Sequence, residues 1–175
     1  MLLPVFLLIG LYGFGDKVFT TIKVTVYTMV GSLLMFIAIL YLGVAYHNEF
    51  GHWSFAYDKL MTITTIPYDI KVWLFLGFLA AFAIKIPIFP LHTWIMETYK
   101  DAPTGAVFLL SSIMAKLGVY AIVRFMIPIF PEIYVEFSIW FVSIGLFGLI
   151  YFGIAALMQD DIKRMFAYSS ASHLS

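Results

Sequence analysis

Two lysines stand where a membrane-embedded chain has most reason to exclude charge. Lys85 sits near the middle of Val72 to Met96, a run with no other formal charge that is long enough to cross a bilayer. An ammonium group at that depth costs about 2.5–3.5 kcal/mol on insertion scales. Snorkelling does not remove the cost. The lysine stem reaches about 6 Å, whereas the nearer end of the run is roughly 17 Å away at about 1.5 Å per residue. Lys116 lies near the middle of the next apolar run, Ala102 to about Ile127. An amine in such surroundings can take a proton from water and return it, because burial disfavours the charged form. All ten acidic residues lie in connections or at span ends. Either these lysines are meant to titrate, or their carboxylate partner comes from outside these residues.

The residues around Lys85 add to that reading. Pro87 and Pro90 follow it, and proline both lacks an N–H and displaces the carbonyl four residues back. The expectation is a helix broken at Pro87 and Pro90, with the carbonyls of Ala83 and Ile86 freed on either side of the lysine. Free carbonyls at membrane depth need protein or cavity water, and discontinuous helices of this kind build ion sites in transporters. Ser112, Lys116 and Tyr120 recur at i, i+4 and i+8 and predict one polar stripe on an otherwise apolar helix. Hydroxyl, amine and phenol in line can hold a chain of water, or simply pack against a neighbouring helix. His92, just past Pro90, and His173, near the end of the sequence, are candidate relays, since imidazole titrates near neutrality. Each is equally a packing residue. His47 and His52 fall in a polar connection and are expected to be solvated. The histidines show no metal-ligand spacing.

The elements that must position these groups read out from the charges. With 63% hydrophobic and only 11% charged residues, against about 25% charged in soluble domains, the composition is that of an integral membrane protein. Net charge is zero, which offers no basic face to nucleic acid, and the absence of cysteine excludes disulfides and thiolate-held iron–sulfur clusters in these residues. The expected spans are 1–15 (partial), 24–48, 72–96 (broken), 102–127, 137–159 and 165–175 (partial), forming one transmembrane unit. The segment HWSFAYDKL between the second and third spans predicts a short hairpin or an interfacial helix. The chain reads as a fragment of a longer bundle. Alternation places Lys17, Lys23, Lys100, Lys163 and Arg164 on one side, against Lys59, Lys71 and Arg124 on the other, so the first set is assigned to the cytoplasmic face.

Four segments carry a resemblance: AFAIKIPIFPLHTW, DAPTGAV, IMAKLGVYAIVRF and DIKRMFAYSSASH, in that order from Ala81 to His173. They resemble the antiporter-like membrane subunits of respiratory complex I, and within these the M-type branch, whose members follow K-x-P-x-x-P-L-H-x-W-L-P-x-A-H, A-P-T, L-L-K-x-x-x-Y-G-x-x-R-F and D-I-K-R-x-x-A-Y-S-S-x-S-H-M-G. The resemblance implies an all-α, multi-span bundle of about fourteen spans built from inverted five-helix repeats, of which these residues would cover the fifth to the start of the tenth. It implies proton-relay roles for Lys85 and Lys116, and a glutamate partner just upstream of MLLP. It further implies an inner-membrane location, bacterial or organellar, and partners of the L, N and K types. Flavin and iron–sulfur clusters would sit on other subunits, and quinone would be engaged only indirectly. Two departures stand out. IMETYK replaces L-P-x-A-H, which leaves Tyr99 where the pattern has histidine, and SHLS replaces S-H-M-G. The related alternatives are an Mrp-type cation/proton antiporter subunit and a membrane-bound hydrogenase subunit; a passive membrane scaffold is the alternative of another class.

Overall fold

The computed structural model describes residues 2–175; Met1, at the head of the predicted 1–15 span, lies outside them. Among the described residues every regular element is helical. The helices are α1 (Leu2–Tyr12), α2 (Lys17–Phe50), the single turn α3 (Tyr57–Leu60), α4 (Tyr68–Lys85), α5 (Thr93–Asp101), α6 (Thr104–Ile129), α7 (Pro131–Leu157) and α8 (Ile162–Leu174). Three of them, α2, α6 and α7, are continuous and apolar enough to span a bilayer. The predicted 72–96 span is realised as two pieces, α4 and α5, separated by the turn that holds both prolines.

Local chemistry moves several predicted boundaries. α2 begins at Lys17, seven residues before Val24, because the Asp16 carboxylate accepts the Phe19 N–H and caps the helix. It ends at Gly51, whose φ of 74° permits the left-handed cap that bonds back to the His47 carbonyl. α7 starts at Pro131, where proline's missing N–H costs nothing at the first helical position, so Glu132 and Glu136 lie in the helix and not in the connection. Pro128 does not stop α6, which continues through it to Ile129. HWSFAYDKL forms no hairpin; only Tyr57–Leu60 closes a helical turn.

Packing divides into two apolar clusters, one for each half of the broken span. α4 contributes Leu74, Phe75, Phe78 and Phe82 to a core shared with α2 and the junction of α6 and α7. There Phe75 meets the rings of Phe130, Phe137 and Phe141. α5 contributes Trp94, Ile95 and Tyr99 to a second core, shared with α1, α7 and α8 through Ile9, Phe152 and Ala167. α2 and α4 come close at Gly31, where an added Cβ would stand 3.1 Å from the Ala81 Cα, the small-residue contact expected where helices associate by packing in lipid. Outward-facing positions of α7 such as Ile139, Trp140 and Leu157 are fully apolar, the surface a bilayer accepts.

The connections meet in the two groups that alternation predicts. At one end the Phe14 N–H donates to the Asp101 carbonyl (2.7 Å), Lys163 Nζ donates to the Ala102 carbonyl (3.1 Å), and Arg164 pairs with Glu97 (3.4 Å). At the other, the Tyr57 hydroxyl donates to the Arg124 carbonyl (2.7 Å), the Tyr68 hydroxyl donates to Glu136, and Lys71 lies 3.9 Å from Glu132.

Candidate functional site

The site begins where α4 ends. Pro87 has no N–H to offer the Ala83 carbonyl, and the Ile88 N–H reaches back to take it (3.0 Å). This is the six-to-one bond of a Schellman closure. The companion bond of that motif would run from residue 87 to the Ile84 carbonyl, and proline cannot make it. The Trp94 indole supplies the missing donor, bonding the Ile84 carbonyl at 2.9 Å in a buried position. The sequence expectation of a freed Ala83 carbonyl is therefore corrected: the carbonyl released by the break is that of Ile84, and a side chain from the second half-helix holds it.

Lys85 closes α4 and is half-buried. α6 lies directly against it. A Cβ added to Gly118 would stand 3.3 Å from the Lys85 Cβ and 2.6 Å from Ile86 Cγ1, so the absence of a side chain at Gly118 sets the approach of the two helices. Lys85 lines a cleft of about 440 Å³ together with Tyr57, Leu60, Phe82, Tyr120 and Phe125. Tyr57 and Leu60 belong to the α3 turn, so this cleft extends toward the end where residues 49–71 lie.

Lys116, two residues before Gly118, is exposed and faces a different cleft, of about 760 Å³, between α6 and α8. Ser111, Ser112, Ser170 and His173 share its walls, as do Tyr99 and, at its far end, Lys163. That end belongs to the 159–164 connection. The two clefts therefore run from the Lys85–Gly118 contact toward opposite ends of the bundle. Among the described residues the ion pairs are Lys71–Glu132 and Arg164–Glu97, and neither Lys85 nor Lys116 joins one.

The polar stripe does not survive as one line. Ser112 and Lys116 face the larger cleft, whereas Tyr120 faces the one with Lys85 and sets its ring edge-on to Phe125. Positions four apart advance about 40° around a helix, so i and i+8 already diverge by about 80°. A π turn over Leu110–Met114 is closed by the Ala115 N–H on the Leu110 carbonyl, so α-helical spacing does not hold across Ser112. Ser112 also donates its proton to the Phe108 carbonyl (2.6 Å), leaving only its acceptor lone pairs for water.

The histidines separate. His173 is exposed on the larger cleft, as a relay would require. His92 is buried in an aromatic box, stacked on Phe89 and edge-on to Phe152 (4.8 Å) and Tyr151 (5.8 Å), with Nδ1 unpaired. His47 stacks on Trp53 at 4.4 Å, and His52 bonds the Tyr46 hydroxyl, so neither is merely solvated.

A family model described as NADH:quinone oxidoreductase/Mrp antiporter, TM, matches residues 1–175. The chain belongs to this family. It is 36% identical to NADH-quinone oxidoreductase subunit M of Escherichia coli K12 and 35% identical to NAD(P)H-quinone oxidoreductase chain 4 of Hordeum vulgare chloroplasts, with 99% of this chain covered in each. It spans only about a third of those relatives, 35% and 34% respectively. The fold matches a chain of respiratory complex I from Thermus thermophilus with a TM-score of 0.86 at 31% identity, covering 99% of this chain and 36% of that one. The expected all-α membrane bundle of antiporter-like type holds.

Three positions of this family member went unread in the sequence. The signal at Trp94 is an indole donor placed just after a proline break. Gly118 had the signal of a small residue within two positions of a charged one. Tyr99, a departure from the family pattern, has a fully buried ring, with the Ser111 and Ser170 hydroxyls beside its own.

Proposed function

We propose that this chain is a segment of a proton-translocating membrane subunit of an NADH:quinone oxidoreductase, an M-type antiporter-like subunit of the inner membrane. The observation that carries this reading is the pair of clefts. Lys85 and Lys116 stand on two helices in direct contact and face separate clefts, the Lys85 cleft lined mainly by apolar and aromatic side chains and the Lys116 cleft carrying hydroxyls, His173 and Lys163, and the two clefts lead to opposite ends of the bundle.

The mechanism follows from electrostatics. A carboxylate brought near Lys85 holds it protonated; when the carboxylate withdraws, the amine in its apolar setting gives the proton up to water. One pK unit corresponds to about 1.4 kcal/mol, so small displacements are enough to move a proton. The contact between α4 and α6 puts Lys116 on the helix that packs against Lys85, and the proton passes to it along water. Charge moves by this route without redox chemistry in the chain, whose lack of cysteine leaves iron–sulfur clusters, with flavin, to partner subunits. Membrane partners of the L, N and K types complete the complex, and quinone is reduced elsewhere in it.

The full-length subunit, tagged and purified from its own membrane, is expected to bring down a complex that oxidises NADH with a quinone acceptor. Isolation of a cation/proton exchanger or a hydrogenase in its place would redirect the reading to those relatives. Intact pumping in a Lys85→Met complex would reduce the chain to a scaffold.

A further inference from the structure

The segment that follows α2 turns back on it. Gly43 precedes Phe50, the last residue of α2, by about 10 Å along the helix at about 1.5 Å per residue. Phe55 is nevertheless seated against it: a Cβ added to Gly43 would stand 2.6 Å from the Phe55 Cζ. By Tyr57 the chain has crossed to α6. The Tyr57 hydroxyl donates to the Arg124 carbonyl (2.7 Å), the Arg124 guanidinium lies 5.4 Å from the centre of the Tyr57 ring, and the same ring stands edge-on to Phe125. Leu60 then enters the apolar core with Ile63 and Ile66. On the return, the Glu49 carboxylate accepts the Thr64 N–H (3.3 Å) and the Thr64 and Thr65 hydroxyls (3.0 Å each). Residues 53–60 are thus a strap, laid on α2 at one side and on α6 at the other.

The strap crosses one particular opening. Phe55, Tyr57 and Leu60 line the 440 Å³ cleft that holds Lys85, whose other walls come from α2, α4 and α6. Among the described lining residues Lys85 alone carries a charge, and the rest are apolar or aromatic. A constriction of such groups excludes water by dewetting, as hydrophobic gates in channels do. An ammonium facing an open, water-filled cleft would exchange its proton with that side at all times. We infer that residues 53–60 are a water seal on the Lys85 cleft, closing it toward the end where residues 49–71 lie and admitting water only when Phe55 and Tyr57 lift off α2 and α6. The fastenings suit that duty. The Tyr57 and Glu49 bonds lie at exposed positions, where water can replace the protein partner. Leu60 stays anchored in the core and returns the strap to its place.

The purpose of the seal rests on the proton-translocation reading, and the test separates the two. In the full-length subunit assembled into its complex, Ala121→Cys places a thiol on the cleft wall. Proteoliposomes are treated with a membrane-impermeant anionic methanethiosulfonate, and modification at position 121 is followed by peptide mass spectrometry. With the strap intact, labelling is expected to be slow. Adding Tyr57→Ala removes one hydrogen bond and one cation–π contact and is expected to speed labelling about tenfold. Adding Phe55→Ala, at a half-exposed position, is expected to speed it as well. Labelling no faster in either assembled variant than with the strap intact overturns the seal. So does failure of both variants to assemble, since the segment would then be a folding element. Passive proton leak is measured in the same vesicles without NADH and is expected to rise with labelling. Faster labelling with an unchanged leak leaves the seal standing and counts against proton translocation through this cleft.

Discussion

Gly118 touches Lys85 through the space a side chain would fill: a methyl group there would lie 3.3 Å from the lysine Cβ and 2.6 Å from Ile86 Cγ1. Ile86 is itself buried at the helix break and has little room to move. Alanine at 118 gains up to about 1 kcal/mol of helix propensity, but overpacking at such contacts typically costs about 1–3 kcal/mol. Gly118→Ala is therefore expected to lower the thermal midpoint of the purified complex or subunit and to reduce pumping by separating α4 from α6. Unchanged stability and pumping would show that the two helices do not need this approach.

Trp94 and Ile84 make the second test of the break. Trp94→Phe keeps most of the apolar volume but leaves the Ile84 carbonyl unsatisfied in a buried place, at a cost of about 1–3 kcal/mol. Faster amide exchange is expected at Ile86 and Ile88, whose N–H groups close the end of α4. Exchange identical to the parent would mean that the indole bond does not hold the break.

Thr20 and Asp101 join the start of α2 to the end of α5. The Thr20 hydroxyl donates to the Asp101 carboxylate at 2.6 Å, with both residues buried. Thr20→Val removes the donor and leaves that carboxylate short of a bond, which is expected to cost about 1.5–3 kcal/mol. Asp101→Ala removes the acceptor as well, so a double-mutant cycle on thermal unfolding should show the two losses to be less than additive. Strict additivity would count against the pairing.

His92 tests which candidates are packing. Three aromatic rings surround it, and it lines neither lysine cleft. His92→Phe is expected to pump like the parent, since phenylalanine fills the same box. A loss of pumping in a fully assembled complex would make the imidazole a relay.

These tests also mark how far the sequence carried. The spans were legible because lipid imposes composition: long charge-free runs such as Phe137 to Gln159 have few other uses. The break was legible because Pro87 and Pro90 act locally. What the break does with its carbonyls was not, since the answer depends on Trp94, brought back over the turn from ten residues away. The split of Ser112 and Lys116 from Tyr120 was not legible, since an i, i+4, i+8 series drifts by about 80° around the helix and the two clefts are made by different neighbouring helices. The setting of Tyr99 was hidden because it is made by Ser111 and Ser170 from two other helices. Side chains that meet across helices are fixed by packing, and a single sequence shows packing only through periodicity and residue size.

The central claim is that Lys85 carries protons, and its most direct test is the ratio of protons moved to NADH oxidised in the complex carrying Lys85→Met. Methionine keeps the length and apolar stem of lysine and removes only the group that binds the proton. With subunit content and redox capacity matched to the parent, the account predicts that this ratio falls. An unchanged ratio in that assembled complex would contradict it.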